Sequence, residues 1–204
     1  EVSITNPNFY KHKQVFEIGD ISITPYLNDH SAFDAYSFLI EGDNKRVFYS
    51  GDFRGHGRKK SLFLDLINNP PLDIDYLMME GTNIGRTNIK SKTENQIQDE
   101  LVTAFSKTES INFIYHAGQN IDRFVSVFKA SLQTNKILVV DIYMAYILNQ
   151  LVGSVGAKLP FPSKQFPTIK VLFSHPLSSM LKNRKGDKEL YKFAPYKITI
   201  DEID

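Results

Sequence analysis

Tyr36-Ser37-Phe38-Leu39-Ile40-Glu41-Gly42-Asp43-Asn44-Lys45-Arg46-Val47-Phe48-Tyr49-Ser50-Gly51-Asp52 decides the reading of the first third of the chain. Two apolar runs flank a polar, glycine-containing turn, which is the pattern of an antiparallel hairpin. Upstream, Val15-Phe16-Glu17-Ile18 and Ile21-Ser22-Ile23-Thr24 alternate apolar with polar residues, so further half-buried strands are expected. Downstream, a basic, glycine-containing loop from Arg54 to Lys60 leads into a short amphipathic helix from Ser61 to about Ile67, stopped by Asn68-Asn69-Pro70-Pro71. The apolar run from Ile74 to Met79 fits a buried strand.

From Thr93 the period changes. Thr93-Glu94-Asn95-Gln96 has the form of a capping box, and Ile97, Leu101, Ala104 and Phe105 follow at helical spacing, so a helix to about Lys107 is expected. Ile111 to Tyr115 reads as a strand, Ile121 to Leu132 as a helix, Lys136 to Val140 as a strand and Tyr143 to Val152 as a helix. Strands alternating with helices at this spacing imply a parallel sheet with helices on its faces. The expected class is therefore mixed α/β, with one domain over residues 1–90 and a β/α domain over 91–204. From Gly153 to Ile200 five prolines interrupt the pattern, and between Lys158 and Lys197 nine basic residues face two acidic ones. That segment reads as a solvated surface or as a face tracking a polyphosphate, with Phe161, Phe166, Phe173, Tyr191 and Phe193 available for stacking.

Composition limits the chemistry. The 204 residues contain no cysteine, which excludes disulfides, thiolate metal sites and a cysteine nucleophile. Any metal must be held by histidines and carboxylates. Net charge is only +1, yet up to Val102 there are 11 basic and 15 acidic side chains, and from Thr103 onward 13 and 8. No apolar run reaches transmembrane length and the start lacks signal-peptide character, so a cytoplasmic protein without a membrane partner is expected. The absence of an initial Met suggests a piece of something longer. No Walker or dinucleotide glycine fingerprint follows a strand, and no serine sits in a nucleophile elbow with its histidine and acid.

Three polar motifs flank apolar strands: Asn28-Asp29-His30-Ser31, Tyr49-Ser50-Gly51-Asp52-Phe53-Arg54 and Met79-Glu80-Gly81-Thr82. Strand ends are where an open sheet presents its side chains, so one rim can gather His30, Asp52 and Glu80, a set suited to a divalent ion. Gly51 permits a close backbone approach and leaves the Asp52 carboxylate exposed. His56, in the basic loop, is placed to touch a phosphate. Each residue also has a plain reading, as a loop histidine or a turn-forming aspartate.

These motifs, together with Gly118-Gln119-Asn120-Ile121-Asp122-Arg123 and Val139-Val140-Asp141-Ile142-Tyr143-Met144-Ala145-Tyr146, resemble the metallo-β-lactamase-fold hydrolases of the β-CASP branch, which includes ribonuclease J. The resemblance covers residues 15–155; segment 156–204 matches loosely. It implies the second half of the metallo-β-lactamase core over 1–90, a β-CASP-like domain over 91–204, and two zinc ions activating a water for phosphodiester cleavage of RNA or DNA. His30 would then be a zinc ligand, Asp52 the carboxylate bridging both ions, and Glu80 an acidic residue orienting the site. Gln119 and Arg123 would contact a substrate phosphate. The family's His-x-His-x-Asp-His signature does not occur in residues 1–29. The chain then holds at most two metal ligands, where zinc needs at least three from the protein, so zinc binding by it alone should be weak or absent. A metal-free module of the same fold that binds nucleic acid or protein is the alternative, and assembly as a homo-oligomer stays open.

Overall fold

Strands β1 (Phe16–Ile18), β2 (Ile21–Leu27), β3 (Tyr36–Gly42) and β4 (Lys45–Tyr49) pair as an antiparallel meander, and β5 (Tyr76–Met78) adds parallel to β4 after helix α1 (Lys60–Asn68). The hairpin between β3 and β4 closes on Asp43 and Asn44 at φ 50° and 57°. Two consecutive left-handed residues match the twist of a two-residue hairpin, and Asp and Asn tolerate them better than most side chains. This computed structural model describes residues 8–86, 91–183 and 187–203, and the chain divides into units Glu1–Lys92 and Thr93–Asp204.

The pairing directions position the first unit's rim. Because β2 and β4 are both antiparallel to β3, and β5 is parallel to β4, strands β2, β4 and β5 run the same way. Their C-terminal ends, Leu27, Tyr49 and Met78, therefore share one sheet edge. Leu39 and Phe48 are buried, and Tyr26 packs edge-on to Phe48 with ring centroids 5.9 Å apart. β5 differs from the expected buried strand: Tyr76, Leu77 and Met78 are 57%, 61% and 55% exposed. It is the edge strand of this sheet, and an apolar run alone does not tell an edge from a centre.

In the second unit, β6 (Leu138–Asp141), β7 (Ile169–Leu172) and β8 (Lys197–Ile198) form a parallel sheet in that order. Helices α2 (Glu94–Ser106), α3 (Ile121–Gln133), α4 (Ile142–Val155), α5 (His175–Asn183) and α6 (Asp187–Phe193) accompany it. Both predicted devices at the start of α2 are present: Thr93 Oγ1 accepts from the Gln96 amide, and the Gln96 side chain accepts from the Thr93 amide. Phe105 of α2 packs with Val127 and Ala130 of α3. Residues Ile111 to Tyr115 form no strand. Phe113 and Tyr115 are 93% and 103% exposed, and strand propensity without a pairing partner does not make a strand. The proline-punctuated segment instead supplies β7 and β8, with Ile169, Val171 and Phe193 fully enclosed. Among the described residues no helix is long and apolar enough to cross a membrane.

Gly51, just past β4, holds φ +54°, and a Cβ there would lie 2.6 Å from the Tyr36 carbonyl oxygen. Gly51→Ala is expected to cost about 2 kcal/mol from the left-handed backbone and the displaced carbonyl. The urea-unfolding midpoint of the first unit reads this loss; an unchanged midpoint would contradict the backbone placement.

Candidate functional site

The three strand-end motifs meet through hydrogen bonds. Asn28, which follows β2, is buried and donates from Nδ2 to Ser37 Oγ at 2.6 Å and to the Ser50 carbonyl at 2.9 Å. Ser37 Oγ donates to that same carbonyl at 2.6 Å. Beyond β5, the Glu80 amide donates to Ser50 Oγ at 3.1 Å, and Glu80 Oε1 accepts from the Phe53 amide at 3.1 Å. Residues 28–30, 50–53 and 79–80 thus share one edge, as the strand directions require. The side chains that join them, Asn28, Ser37 and Ser50, were given no role by sequence reasoning. Ser37 carries the signal that would have found them: it stands on the same face of β3 as buried Leu39, where an apolar residue is expected.

The three candidate residues differ in state. The Thr82 hydroxyl and the Phe53 amide hold the Glu80 carboxyl below its ordinary range; the His30 charge adds to this and desolvation opposes it. Glu80 is therefore a fixed anion near neutral pH, suited to accepting hydrogen bonds rather than donating a proton. His30 accepts the Ala32 amide on Nδ1 at 3.3 Å. In that arrangement a neutral ring carries its proton on Nε2, and a metal bond through Nε2 requires moving that proton to Nδ1. Asp52 is exposed and His56 half-buried. His12, outside the rim, accepts the Leu27 amide on Nδ1 at 3.0 Å.

The zinc pair implied by the family resemblance needs at least three protein donors for each ion. Among the described residues no group of three or more histidine or carboxylate side chains is placed to hold a metal ion. The described residues therefore do not by themselves fit that centre.

In the second unit, Arg123 is committed to another residue. Its Nε and Nη2 donate to Glu94 Oε2 and Oε1 at 3.2 and 3.3 Å, and Ser126 Oγ donates to Glu94 Oε2 at 2.7 Å. The Glu94 side chain is 1% exposed, so this two-pronged pair ties the start of α2 to α3. Gln119 is exposed and donates to the Tyr143 hydroxyl at 3.3 Å. Most aromatics of the basic segment are engaged: Phe166 packs edge-on to Phe128 at 5.7 Å, Phe173 lies under the Lys197 ammonium at 5.7 Å, and Phe193 is core. Tyr191, at 77% exposure, is open for stacking.

No family model matches the chain, and no curated protein matches it. A protein of unknown function from Enterococcus faecalis V583 has a similar fold in its crystal structure, with a TM-score of 0.63 and 17% identity over 97% of this chain. The present chain spans 56% of that one. At this identity the likeness speaks for the fold alone.

Two outcomes follow. Arg123→Ala removes the two-pronged guanidinium from a buried carboxylate and should cost about 3 kcal/mol, measured by denaturant unfolding of the second unit. Glu80 stabilises the folded state above its unfolded value near 4.5, and that contribution is lost as pH falls through the lower folded value. Stability measured against pH should fall through this acidic window, and Glu80→Gln should flatten the fall.

Proposed function

We propose that the first unit supplies one side of a hydrolytic site acting on phosphodiesters of RNA or DNA, in a full-length metal-dependent hydrolase. The observation carrying this reading is the hydrogen-bonded junction that puts His30, Asp52 and Glu80 on one sheet edge. His30 and Asp52 contribute two donors of the right type toward a pair of zinc ions, and further donors come from outside the described residues. Such an ion pair supplies an activated water and a clamp on the displaced oxygens. Glu80, held as an anion by Thr82 and Phe53, keeps the Asp52 loop and the β5 end in register. In the second unit, Gln119 is an exposed polar group offered to the nucleic-acid strand, whereas Arg123 maintains the α2–α3 pair.

The two-donor count favours a second reading, a metal-free module of the same fold that binds nucleic acid or protein. Salt-sensitive affinity for single-stranded RNA without metal-dependent cleavage would select it.

The test uses full-length protein supplied with zinc and bis(4-nitrophenyl) phosphate. Asp52→Ala and His30→Ala are expected to abolish hydrolysis and reduce bound zinc with unfolding midpoints retained. Glu80→Gln should lower the rate roughly 10–100-fold, as for a group that supports ligands. Full activity in Asp52→Ala would remove the rim from the chemistry.

A further inference from the structure

Strand β1 begins at Phe16, opposite Ile23, and no strand of the described residues lies beside the rest of β2 on that side. Residues 8–14 cover it as a strap. The Lys13 amide donates to the Pro25 carbonyl at 2.7 Å, and the Leu27 amide donates to His12 Nδ1 at 3.0 Å. An imidazole nitrogen thus stands where a neighbouring strand would offer a carbonyl. The turn that presents it is closed by the Gln14 amide on the Lys11 carbonyl at 3.0 Å, with Lys13 at φ 58°.

Further contacts hold the strap down. The His12 ring packs edge-on to Tyr26 of β2 with centroids 6.2 Å apart, and Lys13 Nζ pairs with Asp65 of α1 at 3.0 Å. Nearer the start of the strap, Tyr10 stacks on Phe16 at 5.6 Å and meets Phe38 edge-on at 5.4 Å. Leu27, the residue that His12 grips, leads directly into the rim. Asn28 and Asp29 are 3% and 1% exposed, and the Asp29 carboxylate accepts the Gly57 amide at 2.8 Å and the Lys59 amide at 3.2 Å. Strap and basic loop therefore grip neighbouring residues at the end of β2.

Among these groups only the imidazole changes its hydrogen-bonding role near neutral pH. A neutral ring offers one unprotonated nitrogen. The imidazolium has two donors and no acceptor, so it meets the Leu27 N–H donor against donor. Lys11 and Lys13 flank His12 in the chain, and Tyr26 on β2 and Asp65 on α1 face its ring. Desolvation and the Lys13 charge hold the ring below its ordinary 6.5, against the opposing charge of Asp65. Asp65 stays an anion through its bonds to Lys13 and Asn69.

We propose that His12 is a proton-operated clasp: the neutral ring closes residues 8–14 over the edge of β2, and protonation releases that strap from the strand end that leads to His30. The open strap takes up its proton near pH 6.5 and the closed strap only below it. The clasp is therefore complete above 6.5 and is lost as pH falls through the lower value of the closed form. Release uncovers Phe16 and Phe38 and leaves the Leu27 amide to water. The device is independent of any metal or hydrolysis at the rim.

The test follows the His12 ring and the Leu27 and Lys13 amides of isotope-labelled full-length protein by NMR from pH 8 to 5. The Leu27 amide is expected to shift with the same midpoint as the His12 ring, below 6.5. Its exchange protection, corrected for the intrinsic effect of pH, should fall roughly fivefold, the worth of one hydrogen bond. His12→Asn supplies an amide oxygen that accepts at every pH, and should keep Leu27 protected throughout. His12→Ala supplies no acceptor, and should leave Leu27 roughly fivefold less protected at both ends of the range. A Leu27 amide that ignores the His12 titration, or that responds equally in His12→Asn, overturns the clasp. Responses confined to residues 29–32 would report His30 instead and overturn it too. Should His12→Ala fail to fold, the parent protein and His12→Asn carry the test.

Discussion

Ser50 uses every polar atom it has. Its amide donates to the Met78 carbonyl at 2.8 Å, its carbonyl accepts from Asn28 and Ser37, and its hydroxyl accepts the Glu80 amide while donating to the Gly51 carbonyl at 2.7 Å. At 4% exposure these groups are shielded from water, so loss of the amide's partner, or of both donors to the carbonyl, would leave a buried polar atom unsatisfied at about 1–3 kcal/mol. This junction sets the spacing between the ends of β2, β4 and β5. The placement of His30, Asp52 and Glu80, and the start of the basic loop, follow from it. A serine at the end of an apolar strand therefore matters more to the rim than the residues that advertise chemistry.

The second unit follows a similar rule with a different pair. Glu94 begins α2, where a carboxylate favours the helix dipole, but burial makes it costly without a counter-charge. Arg123 and Ser126 of α3 supply the compensation, fixing how α2 lies against α3 above the Phe105, Val127 and Ala130 contact. Lys170, Lys188, Lys192 and Lys197 of the basic segment stand on β7, α6 and β8, whose residues Ile169, Val171, Leu190, Phe193 and Ile198 are buried. Lysines there are the solvated side of buried elements, one of them resting on the Phe173 ring.

Local signals were the legible part of the sequence. The hairpin that leads to Ser50 and Gly51 pairs residues no more than 11 positions apart, the capping box at Thr93 joins residues three apart, and each stands where its pattern implies. Long-range pairing was opaque. Ile74–Met79 and Ile111–Tyr115 carry the same apolar character, yet the first holds an edge strand and the second none, because a strand is decided by a neighbour the local run does not name. Short β7 and β8 were hidden by prolines that break periodicity around them. In the site, His30, Asp52 and Glu80 were recognisable as strand-end residues. Arg123 read as a phosphate contact because its partner, Glu94, lies 29 residues away and a carboxylate in a capping motif looks exposed. Asp29 was passed over beside a more conspicuous histidine.

Whether the three strand ends form one cation-facing rim is open to direct measurement by titrating Mn2+ into isotope-labelled full-length protein, with its further donors, and recording paramagnetic broadening of amide signals. The account predicts that residues 29–31, 51–53 and 79–81 broaden together at the lowest Mn2+ concentrations, and that Asp52→Ala removes the effect from all three stretches at once. Broadening confined to exposed carboxylates such as Asp73, Asp75 and Asp201, with the three stretches unaffected or responding independently, would contradict it.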